Sequence, residues 1–170
     1  VAAWNNFKSC FALTGTGTRA IKNASCFNNY EASQIGNWGV YISSTGAWTV
    51  QNVVSAHHEF EFYFATGSNV ASDYNVAWDS RGGTAFYWLG TAYNWADYLT
   101  ASGQDAHSKH ADPQWVNTAA SDFRLRGTSP AIDAGTDLGL TTDIVGTAVT
   151  APPDAGAYQY TPSTSRLVLQ

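Results

Sequence analysis

Through about its first ninety residues the chain is a succession of short apolar runs, each cut by Gly, Ser, Thr or Asn, and none has a helical period. Gly39-Val40-Tyr41-Ile42, Tyr74-Asn75-Val76-Ala77-Trp78 and Ala85-Phe86-Tyr87-Trp88 are such runs, and Thr14-Gly15-Thr16-Gly17, Ser43-Ser44-Thr45-Gly46 and Thr66-Gly67-Ser68-Asn69 are such breaks. Gly supplies the positive φ that ends a strand, and Asn or Ser satisfies the local backbone. Trp48-Thr49-Val50-Gln51-Asn52 alternates, which puts Trp48, Val50 and Asn52 on one face. His57 to Phe64 alternates more clearly: Phe60, Phe62 and Phe64 are expected inside, and His57, Glu59, Glu61 and Tyr63 outside. His58, out of phase, reads as a turn residue.

Charged residues are only 12% of the chain, too few to clothe long amphipathic helices. One short helix is expected. Asn94 caps it, Asp97 takes the capping-box position, Gly103 stops it, and Trp95, Tyr98 and Leu99 share a face. An Asn also recurs among the early runs, at Asn5, Asn23, Asn52 and Asn75. A buried amide needs partners, so these are expected to stack as a ladder in successive coils of a solenoid.

The net charge of −5, with 8 Lys and Arg, leaves no basic patch for nucleic acid. No run approaches the roughly 18 apolar residues of a membrane span. The chain contains no Met, which is expected of a processed product or a piece of a longer protein. Cys10 and Cys26 lie in no CxxC or Cys/His cluster, so a zinc site is not expected; one bridge and two buried thiols both remain open.

The second half carries more specific wording. Tyr98-Leu99-Thr100-Ala101-Ser102-Gly103-Gln104-Asp105-Ala106-His107-Ser108 is followed by Ala111-Asp112-Pro113-Gln114-Trp115-Val116. Then come Asp122-Phe123-Arg124-Leu125, Gly127-Thr128-Ser129-Pro130-Ala131-Ile132-Asp133-Ala134-Gly135 and Pro153-Asp154-Ala155-Gly156-Ala157-Tyr158. This wording resembles the closing region of secreted right-handed parallel β-helix proteins, among them the choice-of-anchor group of bacterial surface proteins and polysaccharide-degrading relatives. The resemblance implies an all-β fold: a right-handed parallel β-helix of about four coils with a short covering helix and a C-terminal capping segment. On that reading 1–92 are coils, 93–121 the helix and its connecting loop, 122–160 the cap over the open end, and 161–170 a tail. Pro130 and Asp133 would shape a turn of the cap, and Asp154 with Gly156 would anchor its return strand. It also implies a secreted or cell-surface location. Strand edges at the N-terminal end are expected to meet missing coils of a longer parent, or a neighbour in a homo-oligomer or filament.

The outward stripe His57, Glu59, Glu61 and Tyr63 is the candidate catalytic set. Its two carboxylates could hold calcium to bridge an acidic sugar while His57 or Tyr63 takes a proton. Apart from that calcium no cofactor is expected, and no metal site. Trp38, Tyr41 and Tyr87 are the candidate ligand-binding residues, because aromatic rings stack on the C–H faces of sugars. His107, His110 and Asp112 lack a third nitrogen or sulfur ligand, and the resemblance makes His107 and Asp112 loop-fixing hydrogen bonders. Asp79 and Arg81 read as a turn ion pair. Two functions follow. The favoured one is an extracellular module with a structural, adhesive or fibre-forming role that binds glycan through surface aromatics. The other is part of a polysaccharide lyase or glycoside hydrolase acting on an acidic polysaccharide.

Overall fold

The computed structural model describes residues 2–4, 9–27, 37–65, 69–80 and 82–162. Asn5, Arg81 and most of the 66–69 break lie outside the described residues. In chain order the strands are β1 (Ala2–Trp4), β2 (Ser9–Thr14), β3 (Thr18–Phe27), β4 (Trp38–Ser43), β5 (Ala47–Ala56), β6 (Phe60–Phe64), β7 (Val70–Asp73), β8 (Val76–Trp78), β9 (Phe86–Trp88) and β10 (Thr91–Tyr93). Helix α1 (Trp95–Ser102) follows, then β11 (Lys109–His110), β12 (Trp115–Asn117) and β13 (Asp122–Leu125).

Two parallel sheets dominate, in the orders β1-β3-β5-β8-β11, with β7 also on β5, and β10-β9-β6-β4-β2. Only the β9–β10 pair within them is antiparallel. Strands of the two sheets alternate along the chain, so the backbone winds as a β-helix and each pass lies on the one before. The offset is 29 residues between Asn23 and Asn52, and 22 between Val53 and Asn75.

The long strands β3 and β5 are not straight. Their ladder runs from Thr18↔Ala47 to Lys22↔Gln51, skips Asn23 and Asn52, and resumes at Ala24↔Val53. Both skipped residues have positive φ, 48° and 54°, a conformation Asn tolerates better than other side chains. The next pass bends at Tyr74, φ 59°, between β7 and β8. Of the expected amide ladder, the Asn23–Asn52 rung stands at this corner, with Asn75 bonded to the backbone beside it. Asn52 Nδ2 donates to Asn23 Oδ1 at 2.9 Å, and Asn75 Oδ1 accepts from Val53 N at 2.9 Å.

The bore is apolar. Val40, Ile42, Trp48, Val50, Val53, Phe62, Phe64 and Phe86 are buried there in one cluster. Beyond the Asn corner, both sides of the sheet are covered. Ala24, Val53 and Ala77 face the bore, whereas Val54, Ala56 and Val76 pack outward with Trp115, Phe123, Leu125, Ala131 and Ala155. A sheet buried on both faces loses its polar alternation, as Val53-Val54-Ser55-Ala56 shows.

The helix obeys its local signals. Asn94 Oδ1 accepts from Asp97 N at 3.0 Å, and Gly103 closes the helix at φ 64°. Tyr98 is fully buried and stacks on Phe86 at 5.2 Å, so α1 closes the bore beside β9. The C-terminal segment packs elsewhere. It runs along the outer side of the β3–β5–β8 sheet. Gly156 N donates to Asn52 O, Ala157 N to Ser25 Oγ, and Thr136 N to Asn52 Oδ1. The physical reason is the outward apolar column of Phe27, Val54, Ala56, Val76 and Trp78, which needs a cover along its whole height.

Candidate functional site

The β2–β4–β6 ladder slips phase once, at the same height in every strand. Its pairs are Ser9↔Trp38 and Phe11↔Val40, then Trp38↔Phe60 and Val40↔Phe62, leaving out the row Cys10, Gly39, Glu61. Along β6 the consequence is that Glu61 and Phe62 are both buried while Phe60 and Tyr63 are partly exposed. Strand β4 repeats this, with Gly39 and Val40 buried and Trp38 and Tyr41 partly exposed.

On the outer side of the slip stands an aromatic row. Tyr41, Tyr63 and Tyr87 are in register on β4, β6 and β9. Tyr63 and Tyr87 stack at 4.1 Å with 3° between planes, and Tyr41 lies 5.3 Å from Tyr63. Trp38 stacks on Tyr41 at 4.1 Å, and Phe60 meets Tyr63 and Tyr87 edge-on. The row is flanked in register by Ala12 on β2 and Ala92 on β10, which are too small to cover the end rings. None of these five rings belongs to either apolar core. The three candidate binding residues, Trp38, Tyr41 and Tyr87, thus come together. Tyr63, assigned above to catalysis, is the middle ring of the row. Phe60, expected in the core, lies outside it.

Burial among the rings, then the hydrogen bond with Tyr87, pushes the Tyr63 phenol up to about 12.

The catalytic stripe is not assembled. Glu61 points into the bore corner, fully buried, because the phase slip reverses its side. Its carboxylate accepts from Ser55 Oγ at 2.6 Å, from His58 N at 3.0 Å and from His58 Nδ1 at 2.8 Å. Glu59 lies instead at the rim of a shallow recess with Phe60, Asp79, Gly82 and Thr84. The two carboxylates therefore cannot share a calcium ion on the outer face. His57 sits on a turn at φ 67°, with Nδ1 2.9 Å from Ser80 Oγ and its ring edge-on to Phe27. Burial lowers its pKa below the usual imidazole value.

His58 was legible only as a turn residue, yet it is fully buried and central. Its Nε2 lies 3.1 Å from Cys26 Sγ and 3.6 Å from Cys10 Sγ, and the two sulfurs form a disulfide with Cα atoms 5.9 Å apart. Among the described residues, Cys10, Cys26 and His58 are the group of three metal-type donors, within 4.8 Å of one another; the bond between the sulfurs closes them to an ion. The only sequence signals for this cluster are the lone Cys pair and the His58-x-x-Glu61 spacing.

Elsewhere His107 fixes its loop as expected, its backbone N and Nδ1 each 2.7 Å from the Asp73 carboxylate, and Asp112 accepts from Gln114 N. Burial works to raise Asp73, but the bonds from His107 outweigh it and leave its pKa lowered. His110 stands apart, stacked on Trp95 at 5.7 Å.

The sequence matches no protein-family model and no curated protein. Among solved structures the chain is similar to one titled "Crystal structure of pectate lyase Pel9A", with 17% sequence identity and a TM-score of 0.45. The alignment covers 94% of this chain and 50% of that one, so this chain spans half the length of that structure.

Proposed function

We propose that this chain is an extracellular β-helix module that binds polysaccharide through its outer aromatic row. The observation that carries the reading is the row itself: Trp38, Tyr41, Tyr63 and Tyr87 aligned across three strands, partly exposed and outside both cores. Large amphipathic rings left outside a core mark recognition surfaces, and their hydroxyls supply polar contacts beside an apolar face. The Glu59 and Asp79 recess borders Phe60, so an acidic glycan would reach the row with a calcium ion between the charges. The right-handed, roughly four-coil solenoid and a copy of the chain or further coils against the β1 and β2 edges belong to the same proposal.

Affinity electrophoresis through gels holding pectate, alginate or neutral glucans, with calcium or a chelator, tests it. Retardation by at least one polysaccharide, lost in Trp38→Ala and Tyr87→Ala, is expected. Free migration in every gel contradicts it. Release of conjugated uronates or reducing ends in the same mixtures would support the lyase or hydrolase alternative.

A further inference from the structure

The bore corner holds a cluster that sugar binding does not use. Five residues converge there: Cys10 and Glu61 from the skipped row of one sheet, Cys26 and Ser55 in register on the other, and His58 from the turn between β5 and β6. Gly39, between Cys10 and Glu61 in that row, makes the room. A Cβ on it would stand 2.1 Å from Ser55 Oγ and 3.1 Å from His58 Nδ1. The space a side chain would fill is taken by the Ser55 hydroxyl and the Glu61 carbonyl, with the imidazole behind them. In a bore otherwise lined by Val, Ile, Phe and Trp, a disulfide needs no such neighbour to be a structural staple.

We infer that Cys10–Cys26 with His58 and Glu61 is a thiol–disulfide exchange site for a low-molecular-weight thiol. Ser55 Oγ and His58 N hold the Glu61 carboxylate, and its bond with His58 Nδ1 turns Nε2 to the sulfurs. Cys10 is partly exposed whereas Cys26 is fully buried, so the two sulfurs are not equivalent. The external thiolate attacks Cys10 Sγ, a mixed disulfide forms there, and the Cys10–Cys26 bond breaks. The electron pair leaves on Cys26 Sγ, and His58 Nε2, 3.1 Å away, gives that thiolate a hydrogen bond or a proton. A second external thiolate attacks the outer sulfur of the mixed disulfide, releasing the oxidised external disulfide and Cys10 as thiolate. Two external thiols are oxidised and one protein disulfide is reduced. A leaving thiolate that receives a hydrogen bond departs faster and is less readily reoxidised. A small thiol is specified because Cys10 is only partly exposed and Cys26 is buried.

The test equilibrates the full chain in graded mixtures of reduced and oxidised glutathione, then traps free thiols with iodoacetamide and counts them by mass. In His58→Gln the equilibrium should move at least tenfold towards the disulfide, which is about 30 mV for this couple. Glu61→Gln should move it the same way by less. Since these buried variants can fail to fold, thiolate ultraviolet absorbance of the reduced wild-type chain is titrated as well. One thiolate should persist far below the ordinary thiol value of about 8.5. An unchanged midpoint in a folded His58→Gln, or two thiols titrating near the ordinary value, would overturn the site. So would one tightly held zinc ion per reduced chain, which would make the cluster a metal centre.

Discussion

Asn52 ties three parts of the fold together. It holds positive φ, donates to Asn23 and to the Thr136 carbonyl, and accepts from Thr136 N, joining two coils and the C-terminal segment. Asn52→Ala removes these bonds and leaves a Cβ in the left-handed region. Urea unfolding should show a loss of about 2–4 kcal/mol. Asn52→Gly should recover about 1 kcal/mol of that, because only the backbone strain is relieved. Equal losses would mean the corner conformation is unstrained.

Asp105 makes a different residue-scale claim. Its carboxyl, fully buried, accepts from Tyr98 Oη, Asn75 Nδ2 and Ser108 Oγ, and burial outweighs those bonds to push its pKa up. A carboxyl raised in the folded state binds more protons there than in the unfolded chain. Its stabilising contribution is therefore complete below the unfolded value and lost as pH rises through the folded one. The stability of wild type relative to Asp105→Asn should grow as pH is lowered from 7 towards about 3.9. A difference independent of pH would contradict it.

Among the elements, α1 shows what a sequence displays openly. Its cap, its first-turn acid and its stopping Gly are local, so Asn94, Asp97 and Gly103 take the expected places. Asn94→Ala should cost about 1 kcal/mol in denaturant unfolding, with the bore otherwise intact. The amide corner was legible for a similar reason, since a repeated Asn among apolar runs needs a repeated partner. Strand β6 was not legible. Its period-2 reading gives Glu61 and Tyr63 one face, but the slip at the Cys10, Gly39, Glu61 row sends Glu61 inward and Phe60 outward. Nothing within His57–Phe64 marks that slip, because its cause is the room Gly39 leaves one strand away. Trp38, Tyr41 and Tyr87 were legible as single aromatic residues on separate runs. Their union with Tyr63 depends on register, which only the winding of the chain supplies. Gly39→Ala should disrupt the corner more than any exposed Gly→Ala change, read as a lowered midpoint and a faster reaction of the sulfurs with reductant.

At the scale of the molecule, two apolar cores account for a chain of 170 residues that is 14% aromatic. One fills the bore and is closed by α1; the other lies between the outer side of the β3–β5–β8 sheet and residues 115–160. Trp78, Trp88, Tyr93 and Trp95, surplus for a single core, are packed against these two. A chain ended after Arg126 would uncover Val54, Ala56 and Val76, and should lose its cooperative unfolding transition or aggregate; a soluble, cooperatively folding product would contradict the two-core account.

Among the described residues Trp78, Trp88 and Trp95 pack against the two cores, whereas Trp38, Tyr41, Tyr63 and Tyr87 lie outside both. The most direct measurement is side-chain NMR of the aromatic rings during titration with an oligosaccharide of whichever polysaccharide retards the chain. Resonances of Trp38, Tyr41, Tyr63 and Tyr87 should shift together and saturate at one affinity, while those of Trp48, Phe62 and Phe64 stay fixed. Saturable shifts confined to rings outside that row, with these four unmoved, would contradict the assignment.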